Sequence, residues 1–374
     1  MKKKPVIAIL GNFPTWLRSD LVPPRNSSPS SWLLALHDAF SHSDEFEFHW
    51  IVLDQTIKEP IEYEDKGAIF HVIPAGNRKV SLFTAHFVNR FKIARYLKKL
   101  KPDLIHIWGT EFSYGLCGRD FKGKKLFSLQ GVLTAIRKRS NLARAERLQS
   151  YYEGAIFRSM PIITAESLWA KERVLEICPN ANVLLWEYAV EEHFFSILRN
   201  LDAKPCCLMG GTNTPVKNQQ LAIRAFSRPE LRHVTLYMAG EKPKGLDVLP
   251  DNIVTLGRIN RNEMAELLSR VWAVVHPSFA DTGPTMVKEA RVVGVPVILS
   301  HECGAKDYVE HGKSGFVISP VDEQQLVDAV LYITHDKETS LVMGRHNQNL
   351  CRNALSRDTM VKWISNTYRS ILNG

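Results

Sequence analysis

Two acidic residues, Asp281 and Glu289, stand eight positions apart in the stretch AVVHPSFADTGPTMVKEARVVGVPVIL. Asp281 lies on a loop with glycine and proline, after an apolar run that is typical of a strand. Glu289 lies two turns into a helix that we predict to begin near Pro284. The free N–H groups of a first helical turn attract anions. The pattern therefore predicts an anion site with a carboxylate on either side of it.

Lys217 is the best candidate for a cation at such a site. It lies in LMGGTNTPVKNQQLAIRAF, where a strand, a glycine-rich turn and an amphipathic helix follow one another. A cation at the start of a helix is mildly unfavourable, which favours a binding role over that of an ordinary surface lysine. The sequence has no D-x-D motif and no His or Cys cluster with the spacing of metal ligands. We therefore expect no metal, and expect fixed cations and backbone dipoles to offset the negative charge.

Short apolar runs alternate with helical patterns along the chain, which favours parallel sheets covered by helices. The predicted strands are 6–10, 46–53, 68–73, 104–108, 126–130, 162–164, 183–186, 206–209, 235–239, 253–256, 271–275, 295–299 and 315–318. In the first half, helical patterns cover 30–41, 81–100 and 144–159. The alternation is lost at 194–205 and then restarts. We therefore predict an α/β protein with two Rossmann-like domains, 1–195 and 204–355, and a final helix over 356–374.

The composition is that of a soluble globular protein: 374 residues, 45% hydrophobic and 23% charged. Six cysteines without a C-x-x-C pair indicate a reducing compartment. The apolar run after MKKK is too short for a signal peptide, and no run is long enough to cross a bilayer. We expect a cytoplasmic protein, with any membrane contact peripheral and on the inner face of the cytoplasmic membrane.

The net charge of +9 is concentrated in the first half of the chain. Residues 92–101 carry five basic groups and no acid, and residues 119–147 carry nine basic groups against two acids. Solvated helix faces explain this as well as does attraction to an anionic membrane or a phosphorylated acceptor. Nucleic acid is disfavoured as a partner, because no aromatic platform or DNA-binding motif accompanies the charge.

The segment that contains both acids resembles the donor-binding half of retaining glycosyltransferases of the GT-B fold, particularly family 4. The matching residues are Pro277, Ser278, Asp281, Gly283, Glu289, Ala290, Gly294, Pro296, Val297, Gly312 and Gly315. The resemblance implies two facing domains with a cleft between them and a final helix that crosses back to the first domain. It also implies transfer of a hexose from a UDP- or GDP-sugar, without a cofactor, to a hydroxyl of a glycan, a glycolipid or another compound. Surface glycolipid or polysaccharide biosynthesis is the expected setting.

The resemblance also assigns roles to residues. Asp281, Lys217 and Gln130 take the catalytic positions, although the family usually has Glu, Lys and His there. Glu289 would bind the ribose hydroxyls and Asp281 the sugar. The donor site as a whole would comprise Gly11, Gly211, Thr212, Lys217, Arg258, Ile259, Asp281, Thr282, Gly283, Pro284, Thr285, Met286 and Glu289. The acceptor side would comprise His106, Glu111, Arg137 and Glu146.

Two other functions remain open at this point. Three positions depart from the family pattern: Asp281 replaces Glu, Thr212 replaces Arg and Gln130 replaces His. These departures would suit a protein that keeps the fold and binds nucleotide sugars without transferring them. A nucleotide-sugar epimerase of the same fold is the second alternative.

Overall fold

The chain folds around two sheets of mainly parallel strands in the computed structural model. The structure describes residues 3–23, 30–110, 112–139, 144–211, 214–241 and 249–374, except for the side chains of 78–79 and 144–146. Within these ranges the first sheet has eight strands in the order β3-β4-β2-β1-β5-β6-β7-β8. Its strands are β1 (Val6–Leu10), β2 (Glu47–Asp54), β3 (Ile61–Asp65), β4 (Ala68–Pro74), β5 (Leu104–Trp108), β6 (Lys125–Ser128), β7 (Ile163–Ala165) and β8 (Val183–Leu185). All pairings are parallel except that of β3 with β4.

The second sheet has six described strands in the order β11-β10-β9-β12-β13-β14, all parallel. They are β9 (Cys206–Gly211), β10 (Thr235–Gly240), β11 (Ile253–Gly257), β12 (Ala273–His276), β13 (Val297–Ser300) and β14 (Gly315–Ile318). In such a sheet, ligands bind beyond the carboxyl ends of the strands. The acidic loop after β12 and the glycine turn after β9 therefore lie at the same edge.

Helices cover both faces of each sheet, and this explains why the strands are continuous apolar runs. The first domain has α1 (Ser31–Ala39), α2 (Arg78–Phe83), α3 (Phe87–Leu100), α4 (Tyr114–Asp120), α5 (Leu133–Arg139), α6 (Arg144–Ser150), α7 (Glu153–Phe157) and α8 (Leu168–Ile177). The second has α9 (Gln219–Ser227), α10 (Arg261–Arg270), α11 (Thr285–Val293), α12 (Glu323–Thr334) and α13 (Lys337–Cys351). Each sheet thus separates two hydrophobic cores.

The final helix, α14 (Arg357–Asn373), packs on the first domain, as the resemblance implies. The Tyr368 hydroxyl lies 2.7 Å from Nδ1 of His106, and the Trp363 ring stacks on Trp186 with centroids 4.5 Å apart. Arg369 forms two hydrogen bonds, of 2.5 and 2.7 Å, with the carboxylate of Glu45. Both the apolar face of this helix and its charged flank therefore fix it across the first sheet.

The sequence pattern predicts too few strands and too few helices in the first domain. The edge strand β3 is missed because IEYED alternates apolar and acidic side chains, a pattern that blunts an exposed edge. The helix expected over 81–100 is broken between α2 and α3, where Ala85 and His86 adopt left-handed conformations. The helix expected over 144–159 is likewise split into α6 and α7. No helix in the described ranges is both long enough and apolar enough to span a bilayer.

Candidate functional site

The loop between β12 and α11 brings an acid against a cation at the edge of the second sheet. The Asp281 carboxylate accepts hydrogen bonds from Lys217 Nζ at 2.6 Å and from His276 Nε2 at 2.9 Å. Burial alone would raise the pKa of Asp281, but the charge of Lys217 and the His276 hydrogen bond hold that pKa well below its usual range. Two of the predicted catalytic residues thus form one ionised pair.

Gly211 and Pro284 shape the backbone around this pair. Gly211 ends β9 with φ +135°, and a Cβ built on it would lie 3.4 Å from Cγ of Lys217, so the lysine stem lies directly over the glycine. Pro284 caps α11, whose first turn begins at Thr285. Pro fits there because the N–H that it lacks would have no partner inside the helix. Val287 already donates its N–H to the Pro284 oxygen, so the N–H groups of Thr285 and Met286 are the ones available to an anion.

The second acid, Glu289, is 1% exposed and is the fifth residue of α11, about one turn from the start of the helix rather than the predicted two. Its Oε1 accepts a hydrogen bond of 2.7 Å from Nη1 of Arg261, the first residue of α10. Burial raises the pKa of Glu289, and the Arg261 charge opposes that rise. Arg261 also pairs with Glu191 and stacks on the ring of Phe194 at 4.7 Å.

Arg261 is a residue that the sequence analysis missed. The predictions for the nearby loop named Arg258 and Ile259 instead. Arg258 is exposed and pairs with Glu241 at 3.0 Å, while Ile259 packs at the margin of the second domain's core. Whether those two contact a ligand stays a prediction. The available signal was the second arginine of GRINRNE, which follows the helix-capping Asn260.

The first domain meets the acidic loop directly. The Thr282 hydroxyl donates to the backbone oxygen of Gln130 at 2.7 Å, and the Ser167 hydroxyl donates to the backbone oxygen of Thr282 at 2.8 Å. Nε2 of Gln130 is buried and has no hydrogen-bond partner among the described residues. A buried unpartnered amide is costly, and it is available to a ligand at this interface. Gly11 follows β1 at the same edge and packs against Trp108.

Two ion pairs at the junction of the domains were not predicted. Lys288 binds Glu166, which follows β7 of the first domain, and Arg291 binds Glu187, which follows β8. Both cations lie on α11 and are 1% exposed. The signal was a pair of cations inside a helix whose other residues, apart from Thr285 and Glu289, are apolar. Near them, the carboxyl carbon of Glu166 lies 3.0 Å from a Cβ built on Gly283, so the predicted donor loop packs on it.

The remaining donor-loop predictions have defined positions. Thr285 and Met286 form the half-exposed start of α11. A Cβ built on Gly210 would lie 2.5 Å from the Met286 sulfur, so the methionine side chain lies directly over this glycine. The predicted residue Thr212 lies outside the described residues.

His106 is placed differently from the prediction, because it does not line the acceptor side. It is fully buried, with Nδ1 bonded to Tyr368 and Nε2 bonded to Ser128 at 2.7 Å. Burial lowers its pKa to about 3, so the ring stays neutral. It connects β5 to the final helix and β6. The prediction is wrong because a strand position does not by itself tell which sheet face a side chain occupies.

The other acceptor-side assignments stay predictions. Arg137 is half-buried, donates to the Ser150 hydroxyl at 3.0 Å and lies 4.5 Å above the ring of Tyr151. Glu111 and the side chain of Glu146 lie outside the described residues. Among the described residues, no three His, Cys, Asp or Glu side chains are grouped as metal ligands. Metal independence itself stays a prediction.

Comparison with known proteins gives the following matches. Residues 190–350 match the sequence model of the family described as glycosyl transferases group 1. The chain is 29% identical over 132 residues to the lipopolysaccharide glucosyltransferase WaaG of Escherichia coli, covering 33% of this chain and 35% of that protein. It is 28% identical over 95 residues to the sulfoquinovosyl transferase SQD2 of Arabidopsis thaliana, covering 25% and 19%. The match therefore spans about a third and about a fifth of these relatives.

Solved structures match over the whole chain at lower identity. Sucrose-phosphate synthase from Thermosynechococcus elongatus superposes with a TM-score of 0.81 at 17% identity, covering 99% of this chain and 100% of that one. The Anabaena protein HepE, in complex with UDP and glucose, superposes with a TM-score of 0.70 at 14% identity, covering 98% and 99%. The chain shares with them the GT-B fold of two parallel-sheet domains.

Proposed function

Because residues 190–350 match the sequence model of the group 1 glycosyl transferases, we propose that the chain transfers a hexose from a UDP- or GDP-sugar to an acceptor hydroxyl. The proposed reaction retains the anomeric configuration and uses no metal. The observation that carries the proposal is the Lys217–Asp281 pair beside the first turn of α11. It combines a fixed cation, free backbone N–H groups and an ionised acid at one edge of the sheet.

The leaving group is a nucleoside diphosphate, whose negative charge grows as the bond to the sugar breaks. Lys217 and the first-turn amides of α11 would stabilise that charge, since fixed donors in a water-poor cleft lower the barrier without reorganisation. In the ligand complex, Lys217 would share its ammonium group between the phosphate and Asp281. Asp281 holds the lysine in position and would turn its second oxygen to the sugar hydroxyls.

The proton of the acceptor hydroxyl needs a destination. Gln130 has no titratable group, so it cannot act as a general base. The leaving phosphate oxygen can take that proton as the acceptor oxygen forms its bond to the anomeric carbon. The Gln130 amide, whose Nε2 lacks a partner among the described residues, would orient the sugar or the phosphate.

A membrane glycolipid or a growing polysaccharide is the proposed acceptor class. The support is the matches to the lipopolysaccharide glucosyltransferase WaaG and the sulfoquinovosyl transferase SQD2. The proposed donor is supported by HepE, which was solved in complex with UDP-glucose.

The experiment that tests this function combines binding with turnover. Thermal unfolding is measured with a panel of UDP- and GDP-sugars. A ligand whose free concentration is about 100 times its Kd stabilises the folded state by about 2.7 kcal/mol. The stabilising sugar nucleotide is then incubated with and without lipid and polysaccharide acceptors. Product bearing the sugar supports transfer. Binding without product from any acceptor would favour the silent binding protein, and an altered sugar formed without acceptor would favour the epimerase.

Replacing Glu289 by glutamine tests the proposed ribose contact. The variant should bind the donor about 10- to 150-fold more weakly, since hydrogen bonds to a charged group contribute about 1.5–3 kcal/mol. Binding is measured by isothermal titration calorimetry. Glu266→Gln, an exposed position on α10, is the matched control and should bind normally. Equal donor affinity in the two variants would rule out ribose binding by Glu289.

A further inference from the structure

The outward face of α2 and α3 exposes a group of large apolar side chains. Phe83 is 83% exposed, Phe87 63% and Phe91 57%. Val80 and Val88, in the same stretch of chain, are 54% and 39% exposed. Scattered exposed apolar residues are normal, but five of them within residues 80–91 point to an interaction site.

Basic side chains continue the same surface along α3. Positions 87, 91, 95, 98 and 99 fall on neighbouring ridges of a helix, since residues three and four apart lie side by side. Arg95, Lys98 and Lys99 are exposed and have no ion-pair partner among the described residues. The segment 78–100 contains no acidic residue. The surface therefore has an apolar half at residues 80–91 and a basic half at residues 95–99, which together we call the α2–α3 surface.

A cavity of about 220 Å³ lies beside the basic half, between α3 and α4. Its lining combines the apolar Ile93, Leu97 and Phe121 with Lys98, Lys122 and the ion pair of Arg90 with Asp120. An apolar lining with an excess of cations suits a molecule with an apolar part and an anionic head.

The apolar half of the α2–α3 surface lies near the edge of the first sheet that faces the proposed site. α2 begins four residues after the last residue of β4, whose carboxyl end shares an edge with those of β1 and β6. The Tyr152 hydroxyl donates to the backbone oxygen of Leu82 at 3.2 Å, which holds α2 to the segment after α6. The basic half lies toward the opposite edge, because α3 ends four residues before β5 begins.

We propose that the α2–α3 surface binds an anionic lipid bilayer, with the three phenylalanines in the interfacial region and Arg95, Lys98 and Lys99 on the lipid head groups. Aromatic side chains insert at the level of the head groups, and each basic residue near an anionic surface adds attraction. The unpaired cations favour an anionic surface over an apolar protein groove. This proposal goes beyond the proposed transfer activity and does not depend on it.

The test is co-sedimentation of the full chain with phosphatidylcholine vesicles and with vesicles containing about one-third phosphatidylglycerol, without any sugar nucleotide. We expect binding to the anionic vesicles. The triple variant Phe83→Ser, Phe87→Ser, Phe91→Ser should partition at least about tenfold more weakly. Its control is Leu198→Ser, Val321→Ser, Tyr332→Ser, which removes exposed apolar side chains elsewhere. Thermal unfolding checks that both variants fold.

A second pair of variants tests the charge. Arg95→Glu, Lys98→Glu, Lys99→Glu should lower binding to anionic vesicles by at least about tenfold. The control Lys204→Glu, Arg232→Glu, Lys313→Glu makes the same change in net charge at exposed sites of the second domain and should bind normally. Absence of binding to anionic vesicles, or equal losses in variants and controls, would overturn the proposal. Sugar transfer to a water-soluble acceptor would be unaffected by that outcome.

Discussion

Replacing Lys217 by alanine is expected to lower kcat/KM for sugar transfer by about 10²–10³-fold. The reason is that a fixed donor aimed at developing charge contributes about 2.7–4 kcal/mol to stabilising a transition state. In this chain the loss has a second component. The Asp281 carboxylate, 12% exposed, would keep only His276 as a partner. Its pKa would rise toward its usual range, because the charge that holds it down is gone.

The measurements are donor affinity by calorimetry and kcat/KM by product formation. Lys313→Ala, an exposed lysine in the same domain that pairs only at the surface with Glu310, is the matched control. The double variant Lys217→Ala, Asp281→Asn also removes the acid. Comparing it with Lys217→Ala separates the effect of losing the cation from the effect of leaving the Asp281 carboxylate without its cation. If Lys217→Ala leaves both donor affinity and kcat/KM within twofold of the control, the proposed role of the lysine is wrong.

Replacing Lys288 by methionine is expected to lower the free energy of unfolding by about 3–5 kcal/mol, because it leaves the buried Glu166 carboxylate without its cation. Burial raises the pKa of Glu166, and Lys288 opposes the rise. A raised pKa means that the folded state binds the proton more tightly than the unfolded chain does. Protonation therefore adds stability at low pH, and this stability is lost as the pH rises through the pKa of the folded state.

The destabilisation by Lys288→Met should accordingly depend on pH. At about pH 5 the variant can protonate Glu166, since without the lysine the pKa of Glu166 rises further. At about pH 8 the variant must either bury the unpaired Glu166 carboxylate or protonate it at a cost in free energy. The loss in the free energy of unfolding, relative to the unmodified protein, should therefore be larger than at about pH 5. Urea denaturation followed by tryptophan fluorescence at both pH values measures this.

The double variant Glu166→Gln, Lys288→Met should recover most of the lost stability, because a buried ion pair replaced on both sides is often close to neutral. Lys313→Met, at an exposed position of the second domain where the lysine pairs only with Glu310, serves as control for the loss of a lysine. A cost of less than about 1 kcal/mol at both pH values would show that the Lys288–Glu166 pair does not hold the domains together.

The fold was predictable from sequence because its strands are buried on both faces. VIAIL in β1 and VPVILS around β13 are continuous apolar runs, and helices separate them at the spacing of parallel sheets. The Lys217–Asp281 contact could also be predicted from the sequence, since both residues follow strands, β9 and β12, that are neighbours in the sheet. Residues placed at the carboxyl ends of adjacent parallel strands meet without further information.

The residues that were not predicted have partners that are distant in sequence and lie on other elements. Arg261 reaches Glu289 from another helix, and Lys288 reaches Glu166 from the other domain, 122 positions away. No local period or cap encodes such a pair. His106 fails for a related reason, since its two partners lie on β6 and on the final helix. Only the packing of these elements determines that the histidine is buried.

A crystal of the chain soaked with the sugar nucleotide that most raises its thermal stability would show where the donor binds. We expect the diphosphate within hydrogen-bond distance of Lys217 Nζ and of the first-turn amides of α11, with the ribose against Glu289. A diphosphate bound away from Lys217, or held by a divalent cation in its place, would contradict this expectation.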